Sequence, residues 1–122
     1  MIAYATLGTN DMDRAITFFD AVLAPIGCQR EETSANWTRY GRPGERPKMC
    51  LTTPFNHQSA AGGNGAMLAF ETASHAAVDA FHAAALAHGG TDEGTPGIRE
   101  GTHYVAYVRD PDGNKLCVFA PK

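Results

Sequence analysis

A chain of 122 residues is long enough for one compact domain with a hydrophobic core and too short for two ordinary domains. With 43% hydrophobic and 19% charged residues it is typical of a globular protein, and its net charge of −3 argues against a nucleic-acid partner. No apolar run is long enough to cross a membrane and the N-terminus lacks signal-peptide regions, so we expect a cytoplasmic protein without a membrane partner.

The first half of the chain predicts a strand, a helix and a hairpin. An alternating run begins at Tyr4, Asp11 can cap a helix, and apolar residues then recur at helical spacing until Pro25 and Gly27 end it. From residue 37 to residue 54, two alternating runs flank Arg-Pro-Gly-Glu-Arg, a sequence typical of a turn. The three cysteines, with no Cys-x-x-Cys spacing, indicate reduced thiols rather than disulfides or a zinc finger.

The second half of the chain predicts the same order of elements. A short apolar run starts at Met67, Ser74 caps a helix, and two glycines close that helix. The stretch 104–121 is two alternating runs joined by Asp-Pro-Asp-Gly-Asn, in which proline presets the first turn dihedral and glycine accepts a positive one. This stretch is therefore a predicted hairpin. Small residues at 58–65 predict a linker between the halves.

Matching positions in the two halves indicate an internal repeat. A spacing of 63 residues relates Tyr4 to Met67, Asp11 to Ser74, Phe18 to Phe81, Leu23 to Leu86, and Gly27 to Gly90. A spacing of 67 relates Tyr40 to Tyr107, Arg42 to Arg109, Lys48 to Lys115, Cys50 to Cys117, and Pro54 to Pro121. We predict module 1 at about 1–57 and module 2 at about 66–122. Neither module can bury its own sheet face, so both fold as one domain.

Three stretches of this repeat resemble a known superfamily. They are the opening Met-Ile-Ala-Tyr-Ala-Thr-Leu-Gly-Thr-Asn-Asp, the helix at 77–91 and the closing Asp-Pro-Asp-Gly-Asn. They look like the glyoxalase, bleomycin-resistance and ring-cleaving dioxygenase superfamily, also called the vicinal oxygen chelate superfamily. The resemblance implies an α+β fold in which two βαβββ modules in tandem form curved mixed sheets around a concave cavity, with helices on the outer face. It also implies a homodimer.

In catalytic members, the resemblance implies one divalent metal, held by His or Gln on the first strand and by Glu on the last strand of each module. Carried over, those four places fall on Tyr4, Cys50, Met67 and Cys117. None of them is His, Gln, Asp or Glu, so we expect no metal cofactor. An alternative is that Cys50, Met67 and Cys117 converge as soft ligands for Cu(I) or zinc, although buried Cys and Met are also ordinary core residues.

Strand parity and the repeat predict which side chains line the cavity. Residues at alternate positions share one face of a strand, and the repeat adds strands that flank the cavity. His103 follows a glycine-rich segment, 94–101, which is predicted to be a loop at the cavity mouth. The predicted lining is Tyr4, Trp37, Arg39, Cys50, Met67, His103, Tyr104, Cys117 and Phe119. Such a cavity is largely apolar, and its aromatic rings and guanidinium suit a flat or anionic organic ligand.

Three functions fit these observations. The favoured one is a glyoxalase or bleomycin-resistance-like protein that binds a small organic molecule without the usual divalent metal. The second is a metal-dependent lyase, isomerase or dioxygenase with an atypical ligand set, drawn from Tyr4, the cysteines and His103. The third is a non-catalytic structural or regulatory dimer module. No catalytic residue is identified, because no Ser-His-Asp order, nucleophile elbow, phosphate loop or dinucleotide motif occurs.

Overall fold

The computed structural model describes all residues, 1–122, and the elements repeat in the same order in two modules. Module 1 contains β1 (Tyr4–Gly8), α1 (Met12–Leu23), β2 (Gln29–Thr33), β3 (Trp37–Gly41) and β4 (Lys48–Thr52). Module 2 contains β5 (Leu68–Glu71), α2 (His75–Ala87), β6 (Thr91–Arg99), β7 (His103–Arg109) and β8 (Lys115–Pro121). The predicted linker lies inside the connection 53–67, which has no helix or strand.

Each module forms its own mixed, four-stranded sheet. The strand orders are β1-β4-β3-β2 and β5-β8-β7-β6, and in each sheet the first strand of the module pairs in parallel with its last strand. Ala5 pairs with Met49, and the matching Leu68 pairs with Leu116, as the spacings of 63 and 67 require. The predicted α+β fold with two βαβββ modules in tandem is therefore confirmed, and the two sheets stay unclosed.

Both helices begin at the predicted caps. The Asp11 carboxylate accepts a hydrogen bond from the backbone N–H of Arg14, and the Ser74 hydroxyl accepts one from the backbone N–H of Ala77. After α1, a 3₁₀ turn ends at Gly27, which adopts the left-handed conformation with φ 80°. Neither helix has the length and apolar character needed to cross a membrane.

The two modules share one hydrophobic core through their helices. A single cluster of 17 buried apolar residues contains Phe18 and Phe19 from α1 together with Phe81 from α2, and α1 contacts α2 directly. Each helix covers one face of its own sheet, and the two helix layers meet. The uncovered faces of the two sheets therefore point away from the contact between the modules.

Reciprocal hydrogen bonds reinforce this arrangement. Asn114, in the terminal hairpin turn, donates its side-chain N–H to the carbonyl of Gly8 at 3.0 Å. Arg42, in the hairpin turn of module 1, donates to the carbonyl of Glu71 at 3.4 Å. Gly8 and Glu71 end the first strands of their modules and are 63 residues apart. Each hairpin turn thus holds the first strand of the other module.

The terminal hairpin turn is itself held by a buried carboxylate. Asp110 accepts hydrogen bonds from the backbone N–H groups of Asp112 and Asn114, at 3.0 and 2.8 Å, and Gly113 has φ 86°. Burial raises the pKa of Asp110, although hydrogen bonds from Asn114 oppose that rise. The turn predicted from Asp-Pro-Asp-Gly-Asn is confirmed, and it contacts the first module as well as closing the hairpin.

Two expectations about module 2 and the repeat are wrong. The glycine-rich segment 94–101 is not a loop, because residues up to Arg99 belong to β6, whose bulges near Gly94 accommodate the irregular sequence. The hairpin turns also differ in length, since 42–47 joins β3 to β4 while 110–114 joins β7 to β8. Equivalent residues are consequently 67 positions apart on β4 and β8 but 68 apart on β3 and β7. The match of Tyr40 to Tyr107 is therefore wrong by one residue, and so is the match of Arg42 to Arg109.

Candidate functional site

The sheet faces that no helix covers are the candidate site, and we call them the first and second open faces. Residues paired across a ladder share a face, and their neighbours along the strand enter the core. The first open face carries Tyr4, Thr6, Glu31, Glu32, Trp37, Arg39, Lys48 and Cys50. The second carries Met67, Ala69, Glu71, Arg99, His103, Val105, Tyr107, Arg109, Lys115, Cys117 and Phe119.

Cys50 lies at the centre of the first open face beneath two aromatic rings. It pairs with Thr6 on β1 and with Arg39 on β3. The Tyr4 and Trp37 rings come from the two strands beside β4 and meet edge to face, with centroids 5.8 Å apart. They therefore cross β4 over Cys50, which is 0% exposed. Burial raises the pKa of the Cys50 thiol despite the nearby Arg39, so the thiol is shielded and neutral at pH 7.

The rest of the first open face is a balanced network of charges. Lys48 donates to Glu31 at 2.9 Å, and Arg39 donates to Glu31 at 3.3 Å and to Glu32 at 2.8 Å. The hydrogen bond from Lys48, followed by that from Arg39, holds the pKa of Glu31 below its usual range. The expectation of a largely apolar cavity is wrong for this face. A bulge between Arg30 and Glu32 brings consecutive glutamates to one arginine, which strict alternation does not predict.

The second open face is arranged around Tyr107 and Cys117, which pair directly. The Arg99 guanidinium lies 5.5 Å from the centre of the Tyr107 ring, and the Lys115 ammonium lies 5.3 Å from it. Burial raises the pKa of the Cys117 thiol, while the two cations and a hydrogen bond with Tyr107 oppose that rise. Further along the strands, His103 meets Phe119 edge to face with centroids 5.2 Å apart.

Eight of the nine residues predicted to line the cavity lie on the open faces: Tyr4, Trp37, Arg39 and Cys50 on the first, and Met67, His103, Cys117 and Phe119 on the second. Tyr104 does not. It pairs with Ala120 on the helix-covered face, stacks on His75 with centroids 4.1 Å apart, and donates to Asp79 at 2.6 Å. The counterpart of Trp37 is Val105, because the longer turn of module 1 shifts the register by one residue.

Sequence reasoning missed Glu31, Arg99 and Tyr107. Tyr107 could have been found by pairing it with Cys117 across a five-residue turn. Arg99 was assigned to a loop, because the glycines and proline before it obscure the strand pattern. Of the remaining histidines, His82 on α2 is 7% exposed and bonds Asp92 at 2.9 Å on the helix-covered side of the second sheet.

The residues at the four family metal positions do not fit the usual divalent metal. Cys50 and Cys117 are buried thiols with raised pKa values, and Met67 offers only a neutral thioether. Nowhere in the chain do three His, Cys, Asp or Glu side chains form a group that could hold a metal ion. The three soft ligands of the alternative Cu(I) or zinc site do not come together in one chain, because Cys50 belongs to the first sheet while Met67 and Cys117 belong to the second.

A partly open cavity of about 360 Å³ lies elsewhere, between the modules. It is bounded by the helix-covered side of the first sheet, by Cys28 and by the outer edge of β5. Its cations are Arg42, Arg46 and Lys48, and two of them, Arg42 and Lys48, already donate to backbone carbonyls. None of the four family positions lines this cavity, so we place the functional site on the open faces.

Comparisons with known proteins identify the same superfamily that the sequence resembles. The family model of the Glyoxalase/Bleomycin resistance protein/Dioxygenase superfamily matches residues 1–118. A glyoxalase/bleomycin resistance protein from Albidiferax ferrireducens T118 is 40% identical, with TM-score 0.91 and 98% of each chain covered. A lactoylglutathione lyase from Agrobacterium tumefaciens is 21% identical, with TM-score 0.70 over 98% of this chain and 92% of that one. Among proteins of curated function, none matches the chain.

Proposed function

The chain belongs to the Glyoxalase/Bleomycin resistance protein/Dioxygenase superfamily, and on that basis we propose that it binds a small organic molecule on its open faces without the divalent metal of catalytic members. The observation that carries this proposal is the centre of the first open face. The position where a catalytic member places a glutamate is Cys50, which is 0% exposed beneath Tyr4 and Trp37. A buried neutral thiol is a poor metal ligand, whereas the two perpendicular rings above it offer apolar surface to an organic ligand.

We further propose that the functional unit is a homodimer in which the first open face of one protomer meets the second open face of its partner. Within one chain these faces point in different directions, so a closed cavity needs a second copy. Large apolar side chains on or beside the open faces are exposed, including Ile2 at 64%, Tyr4 at 56% and Met67 at 47%. β1 and β5 each have one unpaired edge, which supports association of two chains.

The metal part of the proposal is tested by elemental analysis of protein purified without chelator and by competition titrations with zinc, manganese, nickel and Cu(I). We expect substoichiometric metal and no binding tighter than about micromolar. A stoichiometric metal whose removal by chelator lowers Tm would support the metal-dependent alternative instead.

The binding part is tested by a thermal-shift screen of aromatic metabolites on the wild-type protein and two variants. Trp37→Ala removes a ring from the first open face, whereas Tyr104→Phe is a matched control on the helix-covered face. We expect Trp37→Ala to abolish the ligand-induced rise in Tm and Tyr104→Phe to preserve it. A screen with no stabilising compound would favour a structural role, and light scattering that reports a monomer would refute the shared cavity.

A further inference from the structure

The two open faces differ in charge although their modules repeat one plan. On the first face, Arg39 and Lys48 both bond carboxylates. On the second face, Arg99 and Lys115 have no carboxylate within ion-pair distance. Two carboxylates lie at or beside the second face, but Glu93 bonds Arg109, and Glu71 lies at the opposite end of the face beside Phe119. The end of this face around Tyr107 therefore carries an excess of positive charge, and the nearest compensating group is Asp92, whose pKa is lowered mainly by His82 and in part by Arg99.

The position of Arg99 is fixed by the surrounding backbone. Its guanidinium donates to the carbonyls of Val105 and Thr95 and lies over the Tyr107 ring. The glycine at position 94 makes this possible, because a Cβ there would lie 2.9 Å from the ring and 3.1 Å from the guanidinium. Arginine has five N–H donors, and the two used here leave donors that can bind an anion.

An apolar surface continues from this charged end. Val105 pairs with Phe119, and His103 packs against the Phe119 ring. Val105 is itself only 5% exposed, but opposite it is Gly97, where a Cβ would meet no atom within 4 Å, so there is space for a ligand beside Val105. A ligand lying along the strands therefore meets two cations at one end, and at the other the apolar side chains of Val105 and Phe119 with Glu71 beside them.

We propose that the second open face binds a small organic acid, with its carboxylate between Arg99 and Lys115 and its apolar or aromatic body over Val105 and Phe119. This assignment rests on the proposed function, in which the open faces bind small organic molecules. It adds the chemical class of the ligand and its orientation. A planar carboxylate matches the fork of donors on a guanidinium, and the nearby ammonium adds a second charge.

The test compares benzoate and phenylacetate with the neutral alcohols of the same skeletons, benzyl alcohol and 2-phenylethanol. Affinities are measured by ligand-observed NMR and calorimetry for the wild type, Lys115→Gln and Arg14→Gln. Arg14 lies on α1, outside both open faces, and its substitution also removes one positive charge, so it is the control. We expect the acids to bind about tenfold more tightly than the alcohols, as a charge-assisted hydrogen bond implies.

The two variants and the dependence of binding on ionic strength then test where the carboxylate of the ligand binds. We expect Lys115→Gln to weaken acid binding about five- to tenfold and to leave the alcohols unchanged, whereas Arg14→Gln changes either by less than about twofold. Raising ionic strength to about 0.5 M should weaken only the acids. Acids and alcohols that bind equally would refute the assigned ligand class while small-molecule binding stands. Equal losses in both variants would refute the location, and no binding by any probe would refute the proposed function as well.

Discussion

Replacement of Asp112 tests whether the terminal hairpin turn holds the two modules together. The side chain of Asp112 is 1% exposed, although it belongs to a surface turn. One carboxylate oxygen accepts from the Thr9 hydroxyl at 2.6 Å, and the other accepts from the Asn10 backbone N–H at 2.9 Å and from Arg14 at 2.8 Å. Asp112→Ala removes all three contacts between module 2 and the start of α1.

The expected loss is about 2–3 kcal/mol, smaller than the sum of three charge-assisted hydrogen bonds at about 1.5–3 kcal/mol each. Arg14 is 45% exposed and can return to water, so its pair contributes less than about 1 kcal/mol. The Thr9 hydroxyl has a second acceptor in the carbonyl of Asp11 at 3.0 Å. Asp112→Asn keeps one oxygen for Asn10 and Arg14, and its amide can donate to Thr9, so we expect a loss of about 1 kcal/mol.

Urea denaturation of both Asp112 variants and of Arg14→Ala measures these costs, with reductant present and at two protein concentrations to separate folding from association. At an m-value of about 1.5 kcal/mol/M, Asp112→Ala should lower the midpoint by about 1.3–2 M. The reasoning is refuted if Asp112→Ala costs less than about 1 kcal/mol, or if Arg14→Ala costs as much, since exposed ion pairs are weak.

Three further predictions concern other parts of the chain. Gly62→Ala should cost about 1–3 kcal/mol in urea, because its Cβ would lie 2.2 Å from a carbonyl oxygen of the terminal turn, whereas the Cβ of Gly97→Ala meets nothing within 4 Å and should cost little. Because Lys48 lowers the pKa of Glu31, the ionised carboxylate stabilises the fold above its unfolded pKa, and this contribution is lost as pH falls through the lowered folded pKa. The stability gap between wild type and Glu31→Gln should therefore narrow below about pH 4.3, and a gap independent of pH would contradict this cause. Ellman's reagent should modify one thiol rapidly, that of half-buried Cys28, because the other two are buried, and a rapid phase that survives Cys28→Ser would show this to be wrong.

The order of elements was predictable because its signals are local. Helix caps at Asp11 and Ser74, and the turn sequence at 110–114, specify ends and reversals from a few neighbouring residues. The spacing of 63 also placed the first strands correctly, since no insertion separates each strand from its helix. How the modules contact each other was not predictable, because the bonds from Asn114 to Gly8 and from Asp112 to Thr9 join residues more than a hundred positions apart.

The candidate site was less predictable because strand faces depend on counting to a single residue. The turn 42–47 has one residue more than the turn 110–114, so a count carried from β3 to β7 is wrong by one residue. For this reason Tyr104 is on the helix-covered face and Tyr107 is on the open face, the opposite of what the repeat predicts. A bulge has the same effect in β2, where it brings Glu31 to the open face beside Glu32. Arg99 reaches the other open face because it pairs with His103 across the turn 100–102. The residues near the cysteines on β4 and β8 were placed correctly, since the spacing of 67 is free of insertions there.

The two modules have kept one backbone plan while their open faces carry different chemistry. On the first face, Glu31 occupies the donors of Lys48 and part of those of Arg39, so an incoming anion would have to displace a carboxylate that is already bound. On the second face, Arg99 and Lys115 contact the Tyr107 ring, and Arg99 also donates to backbone carbonyls. These partners carry no formal charge, so they do not neutralise the two cations. If the faces of two protomers meet in the dimer, each cavity has one neutral aromatic side and one cationic side. A ligand with an acid group at one end and a flat ring at the other then has only one favourable orientation. A site made of two identical faces would accept such a ligand in two orientations.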